Sequence, residues 1–118
     1  MKDLAPEITR QRLLIEGTYS AELDQGRIEA YLYGIAQHLG LRTYGAPTIH
    51  ATSGAGKAEN EGYDAFIPLI DSGISVYVWS EKSFFAALLF TCKEFDSEDA
   101  VSYTREFFHA EEIVHLVF

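Results

Sequence analysis

The chain has 118 residues, 47% of them hydrophobic, and a formal net charge of -9 at neutral pH. That length is one domain with a modest core, and that apolar content excludes a disordered chain. The acidic balance offers no basic face for nucleic-acid phosphates or for an anionic membrane surface, and it favours cationic ligands.

A single domain over residues 1–118 is expected, opening with a flexible arm over residues 1–9. Arg12 to Tyr19 is β-rich and mostly apolar and reads as a strand. Residues 24–39 read as a helix, with Ile28, Leu32, Ile35 and Leu39 at helical spacing. Asp24 suits its N-cap, and Gly40 followed by Leu41 suits a left-handed C-cap with an apolar contact. Pro47 to Thr52 is a second strand, and the small, polar stretch 53–62 an exposed loop. Strands follow at Tyr63–Ile70, Ile74–Trp79 and Phe84–Cys92, the first two joined by a tight turn at Asp71-Ser72-Gly73. Asp96-Ser97-Glu98-Asp99 opens a second helix, whose buried stripe is Val101, Phe107 and Phe108. Glu111–Phe118 closes the chain as a strand.

The order β-α-β-β-β-β-α-β predicts a two-layer α/β (α+β) sandwich with two helices on one face of an antiparallel sheet. The other face must then be solvated or covered by a second copy. A lone cysteine forms no internal disulfide, which fits a reducing compartment. Residues 1–7 lack the apolar core of a signal peptide, and no apolar run reaches membrane-spanning length. A cytoplasmic protein with no membrane partner is the expectation.

Two other motifs are incomplete. Ser53-Gly54-Ala55-Gly56-Lys57 has the look of a phosphate loop, but Ala51 and Ala58 stand where that loop needs a Gly and a Ser or Thr. His109, Glu112 and His115 span a helix end and a strand and fit no common zinc spacing, so no metal site is expected.

The most specific segment is Asp71-Ser72-Gly73-Ile74-Ser75-Val76-Tyr77-Val78-Trp79-Ser80-Glu81, followed by Phe90-Thr91-Cys92. It resembles the central segment of the prokaryotic, pyruvoyl-dependent S-adenosylmethionine decarboxylases. There the corresponding run is approximately Glu-Ser-His-Ile-Ser-Ile-His-Thr-Trp-Pro-Glu, with Phe-Thr-Cys at the same distance. The resemblance implies the same two-layer sandwich, a homodimer with sites near the subunit interface, and a setting in polyamine (spermidine) biosynthesis. It identifies Ser72 as the residue that cuts the chain after Asp71 and becomes the pyruvoyl cofactor, an electron sink for decarboxylation. It identifies Cys92 as the proton donor to the substrate carbon, and Glu81, with Thr52 and Trp79, as substrate-binding.

The departures from that pattern are equally specific. Tyr77 occupies the position of the processing histidine, Asp64 that of an assisting serine, and Gly73 that of the histidine after the cut. A tyrosine near its ordinary pKa of ~10 is a poor base at neutral pH. Asp64, if close to Asp71, disfavours an oxyanion there. Thr52 replaces a phenylalanine that stacks adenine, and a threonine has no π face. Two functions from different classes follow. One is a non-catalytic homologue with no cofactor, binding a small cationic metabolite (S-adenosylmethionine, an amino acid or a polyamine) or regulating a partner enzyme. The other is an active pyruvoyl-dependent decarboxylase, self-cleaving at Asp71-Ser72.

Overall fold

A computed structural model describes residues 1–118. Six strands form one antiparallel sheet: β1 (Gln11–Tyr19), β2 (Thr48–Thr52), β3 (Gly62–Leu69), β4 (Ser72–Trp79), β5 (Phe84–Thr91) and β6 (Ala110–Val117). Their spatial order is β2-β3-β4-β5-β1-β6, so β2 and β6 are the edges. Two helices, α1 (Gln25–His38) and α2 (Ser97–Phe108), lie on one face. This is the expected two-layer sandwich with the expected element order.

Each helix begins where its capping residue stops the preceding chain. The Asp24 carboxylate accepts the Arg27 backbone N–H at 2.8 Å, and the Asp96 carboxylate accepts that of Asp99 at 3.1 Å. Gly40 turns left-handed (φ 70°), and the Leu41 N–H returns to the Ala36 carbonyl at 2.8 Å while the Leu41 side chain is buried. That is the helix stop read from Gly40-Leu41.

The core lies between the helices and one set of alternate strand positions. Leu13 and Ile15 of β1, Ile74 and Val76 of β4, and Phe85 and Leu89 of β5 meet Ile28, Tyr31, Leu32 and Ile35 of α1. Full burial of each such side chain contributes about 1.5–3 kcal/mol. The Phe85 and Phe108 rings stack at 4.2 Å between centroids, joining β5 to α2. Tyr31 brings a hydroxyl into this core and satisfies it on Thr104 Oγ1 at 2.9 Å. In α2 the buried stripe is Ala100, Val101, Thr104 and Phe108. Phe107, expected within it, is half-buried at the rim, where the Arg27 guanidinium covers its ring at 4.2 Å.

The opposite face has no helix. By alternation it presents Phe66, Tyr77, Phe90, Val114 and Leu116, all exposed. Ser53 and residues 55–61 are exposed, and two short turns, Gly54–Gly56 with Ala55 left-handed and the 3₁₀ turn Ala58–Asn60, precede Gly62, which is buried and opens β3. The arm over residues 1–9 is folded back by an ion pair of Asp3 with Arg10 and a hydrogen bond from the Ile8 N–H to the Ala5 carbonyl. No helix is long and apolar enough to cross a membrane.

Gly62 is required by a close approach. A Cβ there sits 1.7 Å from the Val78 carbonyl oxygen, a backbone atom fixed in the β3–β4 ladder. Gly62→Ala is therefore expected to destabilise the fold by about 3 kcal/mol, read as a lower urea midpoint.

Candidate functional site

The Asp71-Ser72 junction sits at one end of the sheet. Leu69 and Ser72 are paired, so the β3–β4 turn is Ile70-Asp71. The expected turn at Asp71-Ser72-Gly73 is thus displaced: Ser72 and Gly73 already belong to β4. The reason is a second chain segment that grips this turn. Arg42 to Tyr44 runs alongside the end of β3, with the Ile70 N–H on the Arg42 carbonyl, a bridge from Thr43 to Leu69, and the Tyr44 N–H on the Pro68 carbonyl.

The grip includes side chains. The buried Asp71 carboxylate accepts the Arg42 backbone N–H at 3.0 Å, Nε–H at 3.4 Å and Nη2–H at 2.8 Å. These bonds, the guanidinium's first, pull the Asp71 pKa from 3.8 to about 2. The same pairing raises that of Arg42. On the other side of the turn, the Cys92 N–H donates to the Asp71 carbonyl oxygen at 2.9 Å. Ser72 absorbs the constraint with φ 119°, a conformation that L residues avoid at a cost of about 1–3 kcal/mol. Cys92 is exposed and directly follows Thr91, the β5 partner of Ser72. Ser72 and Cys92 are therefore brought together.

The remaining candidates gather at the far end of β4. Tyr77 is five residues along an unbroken ladder, ~16 Å from Ser72 at a strand rise of ~3.3 Å per residue. Asp64 is directly opposite Tyr77, and His50 directly opposite Asp64. The expectation that Asp64 lies near Asp71 is thus corrected, because β3 carries Asp64 away from its turn. Thr48, His50, Asp64, Phe66 and Tyr77 line a shallow recess of about 330 Å³ on the uncovered face. Trp79 faces Gly62, which in turn faces Thr52, and its ring packs on Phe84 at 5.4 Å. Glu81 is exposed in the β4–β5 turn.

Within one chain the candidates thus form two clusters, Asp71, Ser72 and Cys92 at one end and Thr52, Asp64, Tyr77, Trp79 and Glu81 at the other. Arg42 was invisible to sequence reasoning. It precedes Asp71 by 29 residues, and nothing in its neighbours marks a partner. Among the described residues, no group of three or more His, Cys, Asp or Glu is placed to hold a metal ion.

The chain belongs to the S-adenosylmethionine decarboxylase family, whose model matches residues 15–117. Its fold is similar to the crystal structure of the adenosylmethionine decarboxylase from Aquifex aeolicus VF5, with a TM-score of 0.74 at 17% identity. The match covers 94% of this chain and 89% of that one. No curated protein matches by sequence.

The Asp71 carboxylate gives this end of the sheet a pH signature. Its pKa is depressed on folding, so its contribution to stability is complete above about pH 4 and is lost as pH falls through about 2. Asp71→Asn is expected to lower the urea midpoint at pH 7. Its gap to the wild type closes between about pH 4 and pH 2.

Proposed function

We propose that this family member keeps its chain intact at Asp71-Ser72 and binds a small organic cation on the uncovered sheet face. One observation carries the reading. The two residues that replace the family's processing serine and histidine, Asp64 and Tyr77, are cross-strand neighbours lining the same recess. A carboxylate beside exposed Tyr77 and Phe66 rings is chemistry for an ammonium or sulfonium group. S-adenosylmethionine, a basic amino acid and a polyamine all carry such a group, and membership of the family supports a setting in polyamine metabolism. Among the described residues, none hydrogen-bonds the Ser72 hydroxyl. That missing partner supports a junction left unprocessed.

The uncovered face also favours a homodimer. A second copy stacked on it buries Phe66, Phe90, Val114 and Leu116. A two-fold axis lying between the two sheets and running across their strands then sets the Tyr77 end of one copy over the Ser72 end of the other. The single exposed cysteine fits a cytoplasmic setting.

A second reading, the self-cleaving decarboxylase, is favoured by the strained Ser72 and by the Cys92 N–H on the Asp71 carbonyl. A backbone donor at that oxygen stabilises the charge that attack by Ser72 develops.

Intact-protein mass spectrometry separates the two. The proposed function gives one species of 13.2 kDa. Two fragments, meeting at Asp71 and Ser72, establish the second reading instead. For binding, thermal-shift titration with S-adenosylmethionine, spermidine and arginine is expected to raise Tm for at least one of them. Asp64→Asn is expected to weaken that ligand about tenfold, because it removes the charge and keeps the shape. An unchanged affinity removes Asp64 from the site.

A further inference from the structure

The Asp71-Ser72 turn is held harder than a two-residue connection requires, and the residue that holds it lies outside the strands. Arg42 contributes its backbone N–H, Nε and Nη2 to one carboxylate, and its carbonyl to the Ile70 N–H. The Cys92 N–H fixes the opposite side of the turn through the Asp71 carbonyl. A serine at φ 119° persists only when its surroundings over-determine it. Gly73, the residue best able to take positive φ, is next in the chain, yet the strained conformation falls on Ser72.

We propose that Arg42 is the positioning residue of this junction. By clamping Asp71 it holds the Asp71-Ser72 peptide strained, with its carbonyl oxygen on the Cys92 N–H, in a form open to attack by the neighbouring hydroxyl. This goes beyond the proposed function and is compatible with it, since the peptide need only shift reversibly to an ester, without the elimination that parts the chain and forms a pyruvoyl group. It adds a residue that no motif or spacing marks. In the step concerned, Ser72 Oγ bonds to the Asp71 carbonyl carbon and its proton passes to the Ser72 nitrogen. The carbon–nitrogen bond then breaks. The product is an isomer of the starting chain, an ester from Asp71 to the Ser72 side chain with a free amine at Ser72. Added hydroxylamine attacks that ester carbonyl, leaving a hydroxamate on Asp71 and releasing the chain that begins with Ser72.

Arg42 is 63% exposed while the Asp71 side chain is 4% exposed, so the arginine closes over the carboxylate from outside. Its replacement therefore opens no hole in the core. The test incubates the full-length chain with hydroxylamine at neutral pH and follows fragments by mass spectrometry, with Tm recorded for every variant. Wild type is expected to split between Asp71 and Ser72, and Ser72→Ala to remain whole. Arg42→Gln is expected to split at least tenfold more slowly while still melting cooperatively. Arg42→Lys, which keeps the charge and loses the fork, falls between them. Asp71→Ala, which removes the clamp from its other side, slows in parallel. Should the wild type purify already cut, the reading becomes the uncut fraction, which rises in Arg42→Gln and Asp71→Ala.

A wild-type chain that hydroxylamine never cuts overturns the inference, and so does cutting at one rate in wild type and Arg42→Gln. Cation binding at Asp64 is scored separately by thermal shift. It survives an uncuttable junction, so the two ideas fail independently.

Discussion

Side-chain alternation along six antiparallel strands is the constraint from which the rest follows. One set of positions is committed to the helices and supplies the core, from Leu13 on β1 to Leu89 on β5. The other set inherits whatever is left, and here that is a mixed field of rings, carboxylates and aliphatics without cover. Because the ladders between β3, β4 and β5 run without a break, every residue on that face has a fixed address. A substitution there changes chemistry without changing geometry. This is how Asp64 and Tyr77 come to face a common recess while the framework remains that of the family.

Most of the framework was legible in the residues. The period of two along the strands and near four along residues 24–39 reflects burial on one side only, so it appears directly as apolar spacing. Asp24 and Gly40 carry local chemistry that works wherever they occur at a helix end, and the structure uses both. Phe107 was misplaced for a simple reason. Its spacing is that of the buried stripe, but the rim of the sheet ends before it, and Arg27 finishes the cover instead.

The candidate site was legible only in part. Ser72 and Cys92 come together because neighbouring strands bring them together, which the fold alone requires. The position of the turn was not readable. Asp, Ser and Gly all suit turns, and that local preference points at Asp71-Ser72-Gly73. The winning influence is distant: a segment leaving α1 lies along the end of β3 and fastens Asp71. Pairing at long sequence separation leaves no periodic trace, so Arg42 could be found only in three dimensions. The distance between Ser72 and Tyr77 was obscured for a different reason. Five residues look close in a sequence, but a strand spends them on length, while a helix would have folded them back into about one turn and a half.

The last strand carries a consequence of its own. β6 is an edge, so one of its sides presents unpaired peptide groups, and Val114, Leu116 and Val117 are more than half exposed along it. Neither a proline nor a lysine interrupts it. A lone copy in dilute solution thus displays a template onto which any extended chain can zip. What blunts this rim within the chain is the exposed carboxylate pair Glu111 and Glu112 at its start, which sets like charges against one another when two such edges meet.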